Sequence, residues 1–230
     1  MTLVLLTGGT GQIGRACQAL DWPEGWTIVA PGRDELDLSQ PASIDECLRR
    51  IGPGLVINAG AYTAVDKAEE EPGLARAVNA AAPAAMGAYC RDAGIPLIHV
   101  STDYVFGDGR GYRREDDEAA PLNVYGSSKL EGEQAVLAAG GRAVVLRTAW
   151  VVSPWGRNFV TTMLRLAREK DELRVVADQL GCPTSAADVT AAIRTIALRL
   201  VDDRSGPLGV VHFVNAGEAS WAGLANAPGR

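Results

Sequence analysis

The stretch Leu3-Val4-Leu5-Leu6-Thr7-Gly8-Gly9-Thr10-Gly11-Gln12-Ile13-Gly14 decides the fold. A short, continuous apolar run ends in Thr7-Gly8-Gly9, and a helix-like segment from Gln12 to Leu20 follows. A run without polar alternation reads as a strand buried on both faces. Gly8, Gly11 and Gly14 then make a GxxGxxG turn between strand and helix. Glycines there allow a tight turn and let backbone N–H groups approach a pyrophosphate at the positive end of a helix. By spacing alone the pattern is weak, with about 0.3 chance occurrences expected in so glycine-rich a chain. Its place after the first strand and before the first helix is what points to a dinucleotide fold. The alternative is a purely structural turn.

Working outward, strand-like and helix-like segments alternate. Strands are expected at Trp26–Ala30, Leu55–Asn58, Pro96–Val100 and Ala143–Arg147. Helices are expected at Ser43–Arg50 (capped by Ser39 or Ser43), Ala75–Ala93 (interrupted at Pro83) and Tyr125–Ala139. This is the signature of an α/β, Rossmann-like, doubly wound parallel sheet. After Trp150 the rhythm changes: a helix at Asn158–Lys170, a strand at Leu173–Val176, a helix at Ala186–Val201 and a last strand at Val210–Val214. The tail after Trp221 shows little periodicity, and Asp66–Glu71 and Arg113–Glu118 read as solvated loops or helix ends.

At 230 residues, the chain suits one domain plus a smaller lobe, taking ~150 residues per domain. Residues 1–150 plus about 180–204 are assigned to the nucleotide-binding unit, and about 151–179 plus 205–230 to a small α/β lobe. A net charge of −6 argues against nucleic acid as a partner. Two histidines (His99, His212) make a His-rich metal site unlike this sequence, and both read as core residues within apolar strands. Four cysteines with no CxxC read as a reduced, cytoplasmic chain, and no apolar run is long enough for a signal peptide or membrane span.

Two further sites carry chemistry. Arg33 follows the second strand, where an acid would favour NAD and an arginine can pair with the 2′-phosphate of NADP. An exposed loop arginine is the alternative. Tyr125 and Lys129 are four apart on a helix and share one face. A lysine ammonium beside a phenol would lower the phenol pKa and make Tyr125 an acid–base group. The fourth strand leads into Ser101-Thr102-Asp103, and a hydroxyl at the carboxyl end of a parallel strand faces the ligand crevice, so Thr102 can bond a substrate carbonyl. No nearby histidine supports Ser101 or Ser127 as a hydrolase nucleophile.

Thr7–Gly14 (TGGTGQIG), Asn58–Tyr62 (NAGAY), Ser101–Phe106 (STDYVF) and Tyr125–Lys129 (YGSSK) resemble the extended short-chain dehydrogenases/reductases. Arg147–Val152, Gly156–Phe159, Asp178–Thr184 (DQLGCPT), Ala187–Val189 and Ser220-Trp221 narrow the resemblance to the dTDP-4-dehydrorhamnose reductase family. The resemblance implies reduction of the C4 keto group of dTDP-4-dehydro-L-rhamnose by NADPH or NADH. It makes Tyr125 the proton donor, Lys129 the group that holds the nicotinamide ribose, and Thr102 the carbonyl-orienting hydroxyl. It assigns Gly8, Gly11, Gln12, Ile13 and Gly14 to the pyrophosphate, with Arg33, Asp37 and Leu38 on the adenosine side. Ala59, Gly60, Ala61, Tyr62 and Ser101 fall along the nicotinamide side. Asp103, Tyr104, Asn123, Trp150 and Asn158 join Thr102 on the substrate side. It implies a dTDP-linked keto sugar as partner and allows a homodimer. Arg15 departs from the acidic residues some members use for a magnesium-linked dimer, so no metal is expected. Family chains usually continue well past the Ser-Trp element, so part of the substrate lobe is expected to be missing. A non-catalytic NADP-binding regulatory module of the same fold, or another nucleotide-sugar reductase or epimerase, stays open. The intact Thr102, Tyr125 and Lys129 favour an enzyme.

Overall fold

The computed structural model describes residues 1–109, 111–203 and 206–227. The apolar runs form β1 (Thr2–Thr7), β2 (Trp26–Val29), β3 (Leu55–Asn58), β4 (Leu97–Thr102), β5 (Ala143–Thr148) and, late in the chain, a further strand at Gly209–His212. These six make one sheet in the order β2-β1-β3-β4-β5 and then the late strand, every neighbouring pair parallel. Alternate residues of a strand point to opposite faces, so each face needs its own cover. Val4, Leu6, Leu55, Ile57, Ile98, Val144 and Leu146 pack on one side with Cys17 of α1 (Gln12–Ala19) and with Val189 and Ile193 from a late helix at Ala186–Leu198. Leu5, Val56, Leu97 and Val145 face the other way. They are covered by Ile44 and Leu48 of α2 (Pro41–Ile51), Met86 and Cys90 of α5 (Ala82–Ala93), and Val136 of α6 (Val124–Ala138). The two preceding helices are α3 (Val65–Glu70) and α4 (Pro72–Arg76). The expected doubly wound α/β sheet is the observed one. None of the described helices is long and apolar enough to cross a membrane.

Several local expectations change. Neither Ser39 nor Ser43 caps α2: Gln40 holds the cap position without a side-chain bond, and Pro41 opens the helix. The two serines serve Asp37 instead, Ser39 Oγ donating to its carboxylate and Ser43 Oγ accepting from its N–H. The Ala-rich helix is broken by a π-turn at Ala77–Ala81, just ahead of Pro83. Asn79 lies in that turn and is drawn inward. Its Oδ1 accepts from Tyr62 N–H (2.8 Å), and its Nδ2 donates to Tyr62 O and Ser128 Oγ (3.0 Å each). Pro83 falls in the first turn of α5, directly after the π-turn.

Beyond β5 the chain forms β6 (Val151–Val152), α7 (Phe159–Glu169), β7 (Leu180–Gly181), β8 (Thr184–Ser185) and α8 (Ala186–Leu198), whose end runs into a π-turn at Arg199–Asp203. The late sheet strand is β9 (Gly209–His212), followed by β10 (Ala219–Ser220) and α9 (Trp221–Ala225). Leu173–Val176 is no strand: the segment lies on the surface among charged neighbours, tied among the described residues by Ala222 N–H donating to Val176 O. The tail does form a short helix, α9, capped by Ser220 Oγ, but five residues are too few for a period to show. β9 pairs with β5 in the large sheet, so residues 209–212 sit with the sheet rather than with the small lobe.

Glu133 of α6 and Arg147 of β5 make a buried, bidentate ion pair, with Nε and Nη2 of the arginine donating at 3.0 and 2.7 Å. Arg147 also lies over the Phe106 ring at 5.0 Å. Removing one partner of a buried pair leaves an uncompensated charge. Glu133→Gln is therefore expected to lower unfolding free energy by about 3–5 kcal/mol. The check is a fall in urea midpoint at constant slope; a loss under about 1 kcal/mol would mean the pair carries no such load.

Candidate active site

All parallel strands end on one side of the sheet, and the connections leave β1 and β3 in opposite directions, opening a crevice between their carboxyl ends. The glycine turn forms its floor. Gly8 has φ +68°, and a Cβ there would lie 2.7 Å from both Ala59 O and Gly60 Cα. A Cβ on Gly14 would run into the Gly8 carbonyl. Only bare backbone lets these two loops meet. Gly11 stands at the N-cap of α1 and supplies no side-chain acceptor, so the first-turn N–H groups are left to an outside anion. The Gln12 side chain turns away, donating to Val151 O (3.1 Å) and accepting from Ser153 Oγ and Asn158 Nδ2 (2.9 Å each). Residues 12–14 thus face the crevice through backbone.

At the far end of the crevice, Arg33 is largely exposed and lies 3.7 Å from the Asp37 carboxylate. Bonds from the Ser39 backbone N–H and hydroxyl, with the nearby Arg33 charge, hold Asp37 below its ordinary pKa. Leu38 reaches Gly60, where an added Cβ would also lie 3.0 Å from Thr7 Oγ1. Ala59, Gly60 and Ala61 continue the floor, and Tyr62 is tied back through Asn79 and through its hydroxyl to Glu71 (2.7 Å).

The opposite wall is β4 and α6. Tyr125 meets Tyr104 edge to face, ring centres 5.3 Å apart. Thr102 Oγ1 donates to Asp103 Oδ1 (3.1 Å) and accepts from Tyr104 N–H (3.2 Å). Burial raises the Asp103 pKa, the Thr102 hydroxyl opposing it. Ser101 Oγ and Thr148 Oγ1 are buried without a hydrogen-bond partner among the described residues. Lys129 is 2% exposed. Its Nζ donates to Val100 O (2.7 Å) and lies 3.5 Å from His99 Nε2.

The pKa argument made from the Tyr–Lys spacing does not hold here. Burial pushes the Tyr125 phenol up to about 12, with the Thr102 hydroxyl pulling down and the Asp103 charge pushing up. Burial pulls Lys129 down to about 8, with Glu133 opposing. Spacing puts the two on one face, but burial is the leading cause of both shifts and moves the two groups in opposite directions.

The structure gathers Ser101, Thr102, Asp103, Tyr104, Tyr125 and Lys129 into one wall, with residues 8–14 and 59–62 as floor and 33–38 at the end. Trp150 stands across from them with φ 45°, its ring stacked on Trp221 at 3.4 Å. Asn123 and Asn158 act as helix caps. Asn123 Oδ1 accepts from Gly126 N–H, and Asn158 Oδ1 from Thr161 N–H. The Asn158 amide is fully used, Nδ2 donating to Gln12 and to Ser153 O. Sequence reasoning missed Asn58, Asn79 and the polar role of His99. Asn79, a poor helix former amid alanines, was the one visible signal.

Comparison with known proteins gives the same picture. Residues 1–228 match the family described as RmlD substrate binding domain. A dTDP-4-dehydrorhamnose reductase of Sinorhizobium fredii is 46% identical over 222 residues, covering 96% of this chain and 75% of that protein. The protein of the same name from Escherichia coli is 42% identical over 225 residues, covering 95% and 74%. The crystal structure of dTDP-4-dehydrorhamnose reductase from Bacillus anthracis, in complex with NADP, superposes with a TM-score of 0.91 at 35% identity, covering 98% of this chain and 79% of that one. On the match along nearly its whole length, this chain belongs to the dTDP-4-dehydrorhamnose reductase family.

Proposed function

We propose that the chain is an NADPH-dependent reductase of a dTDP-linked 4-keto sugar, dTDP-4-dehydro-L-rhamnose, with Tyr125 as proton donor. The observation that carries this reading is that Thr102 at the end of β4, and Tyr125 and Lys129 on α6, stand beside a glycine turn that only bare backbone lets close on Ala59 and Gly60. Gly8, Gly11, Gln12, Ile13 and Gly14 would hold the cofactor pyrophosphate through backbone N–H groups. Arg33, largely exposed beside Asp37, would reach a 2′-phosphate, while Asp37, Leu38 and residues 59–62 would line the rest. When bound, NADPH supplies a hydride to the carbonyl carbon.

The remaining work falls to the protein. A phenol with a pKa near 12 keeps its proton at neutral pH, which suits a donor. As the carbonyl oxygen gains negative charge it becomes a far stronger base than a phenolate, and the proton moves from Tyr125 Oη to it. Thr102 would turn its hydroxyl from Asp103 toward that oxygen and hold it. Lys129, with a pKa near 8, is mostly ammonium at neutral pH and stands as the cation facing the resulting phenolate. Tyr104, Asp103 and Trp150 would meet the sugar nucleotide. Asn123 and Asn158 serve it by holding α6 and α7. We assign residues 1–150 plus about 180–204, together with β9, to the cofactor-binding unit, and about 151–179 with β10 and α9 to the substrate lobe. Four free cysteines fit a reducing compartment, the cytoplasm.

The direct test is loss of NADPH absorbance with dTDP-4-dehydro-L-rhamnose. Cofactor binding without turnover would instead favour the regulatory-module reading. Tyr125→Phe is expected to lower kcat by about 10²–10⁴ while leaving the NADPH Kd, read by fluorescence, nearly unchanged. A kcat close to that of the unaltered chain would remove Tyr125 from the donor role. Arg33→Ala should weaken NADPH by roughly tenfold, the loss of one charge-assisted contact, with little effect on NADH. Equal weakening of both would refute 2′-phosphate recognition.

A further inference from the structure

His99 is a buried polar residue the reaction above does not use. It lies 0% exposed in β4, and in the sheet its register neighbour is Asn58, which in turn pairs with Thr7. The bonds along this row have a direction. Gly60 N–H donates to Thr7 Oγ1 (3.0 Å), leaving that hydroxyl's own proton for Asn58 Oδ1 (2.6 Å). Asn58 therefore presents Nδ2, which can only donate, to His99 Nδ1 at 2.9 Å. With Nδ1 accepting, the single proton of a neutral ring sits on Nε2. That N–H faces Lys129 Nζ at 3.5 Å, while Nζ donates to Val100 O.

This cage distinguishes the two forms of the lysine. A free amine has a lone pair for Nε2–H. An ammonium has none and meets the positive end of the N–H dipole. We propose that His99 is a positioning residue: held as the Nε2–H tautomer by Thr7 and Asn58, it sets the protonation state of Lys129.

Burial and the Lys129 charge keep His99 neutral, its pKa well below 6.5. The other groups around Lys129 do not supply the same control. Glu133, on its own helix, favours the ammonium but is bonded to Arg147 of β5. Tyr125 and Cys90 of α5 are neutral, both pushed up to about 12 by burial. Asp103, past β4, bonds Thr102. Glu69 of α3 accepts from Val124 N–H at the start of α6, and Arg76 of α4 pairs with Glu131 on its exposed side. The arrangement also has two settings. If Asn58 rotates its amide, Oδ1 faces His99, the ring must carry its proton on Nδ1, and Nε2 becomes an acceptor for the ammonium. The floor of the crevice, through Gly60 N–H, and the charge on Lys129 are then linked.

The proposal deepens the reductase reading, on which only its kinetic arm rests. With two histidines and three lysines, the full chain gives simple spectra when labelled with ¹⁵N-histidine and ¹³Cε-lysine; Lys67→Arg and Lys170→Arg assign Lys129. The expected result is a non-titrating His99 in the Nε2–H form and a Lys129 midpoint near 8. Thr7→Val keeps the buried shape but removes the hydroxyl that orients Asn58. It should turn His99 to the Nδ1–H form and raise the Lys129 midpoint by about one unit, a tenfold change in its proton affinity. His99→Phe should raise it as well. An Nδ1–H ring in the unaltered chain, or a changed tautomer in Thr7→Val with an unmoved Lys129, overturns the proposal. In turnover, the alkaline limb of kcat should move with the lysine; inactive but correctly titrating protein would count against the reductase reading alone.

Discussion

Thr7, Asn58 and His99 lie side by side across the middle of the sheet, and each must find its hydrogen bonds there because water cannot reach them. An unmade buried bond costs about 1–3 kcal/mol. A one-residue slip of β3 would carry Asn58 to the opposite face and leave all three short of partners. This requirement fixes the register of β1, β3 and β4 more tightly than apolar packing could, since Val, Leu and Ile exchange contacts readily. The fixed register sets the rest. It seats the turn of Gly8 against Ala59 and Gly60, and it stations His99 beneath Lys129.

The sequence made the sheet legible for a simple reason. β3, β4 and β5 are buried from end to end, so apolar residues fill most of their positions. Where burial is partial, legibility fails. Leu173–Val176 carries the residues of a strand but meets no sheet. α9 is a helix too short to show its period. Ser39 and Ser43 have the chemistry of caps, yet Asp37 competes for them and wins with two short bonds.

The site was legible in spacing but not in solvation. Glycines 8, 11 and 14 and the pair Tyr125–Lys129 announce themselves by intervals. Spacing says that two groups are neighbours and nothing about how much water they have lost. That loss is the leading cause of the shifts at Tyr125 and Lys129. His99 illustrates the same gap. Its place in an apolar strand correctly marked it as buried, but only the neighbouring strand reveals which ring nitrogen is engaged.

Beyond β5, the segments that lie outside the large sheet are built differently from it. Trp150 sits at φ 45°, a conformation costing about 1–3 kcal/mol for such a residue, and its stack on Trp221 offsets part of this. Helix α7 buries no residue fully, and the amides of Gln12 and Asn158 supply much of the link to the glycine turn. A segment fastened by a few polar bonds and the aromatic contacts of Trp221 with Trp150 and Phe159 opens at far lower free energy than a strand buried from end to end. Amide hydrogens of α7 would thus exchange through local opening, while those of β3 to β5 wait for the whole fold. Opening of α7 would leave the buried polar row of Thr7, Asn58 and His99 undisturbed.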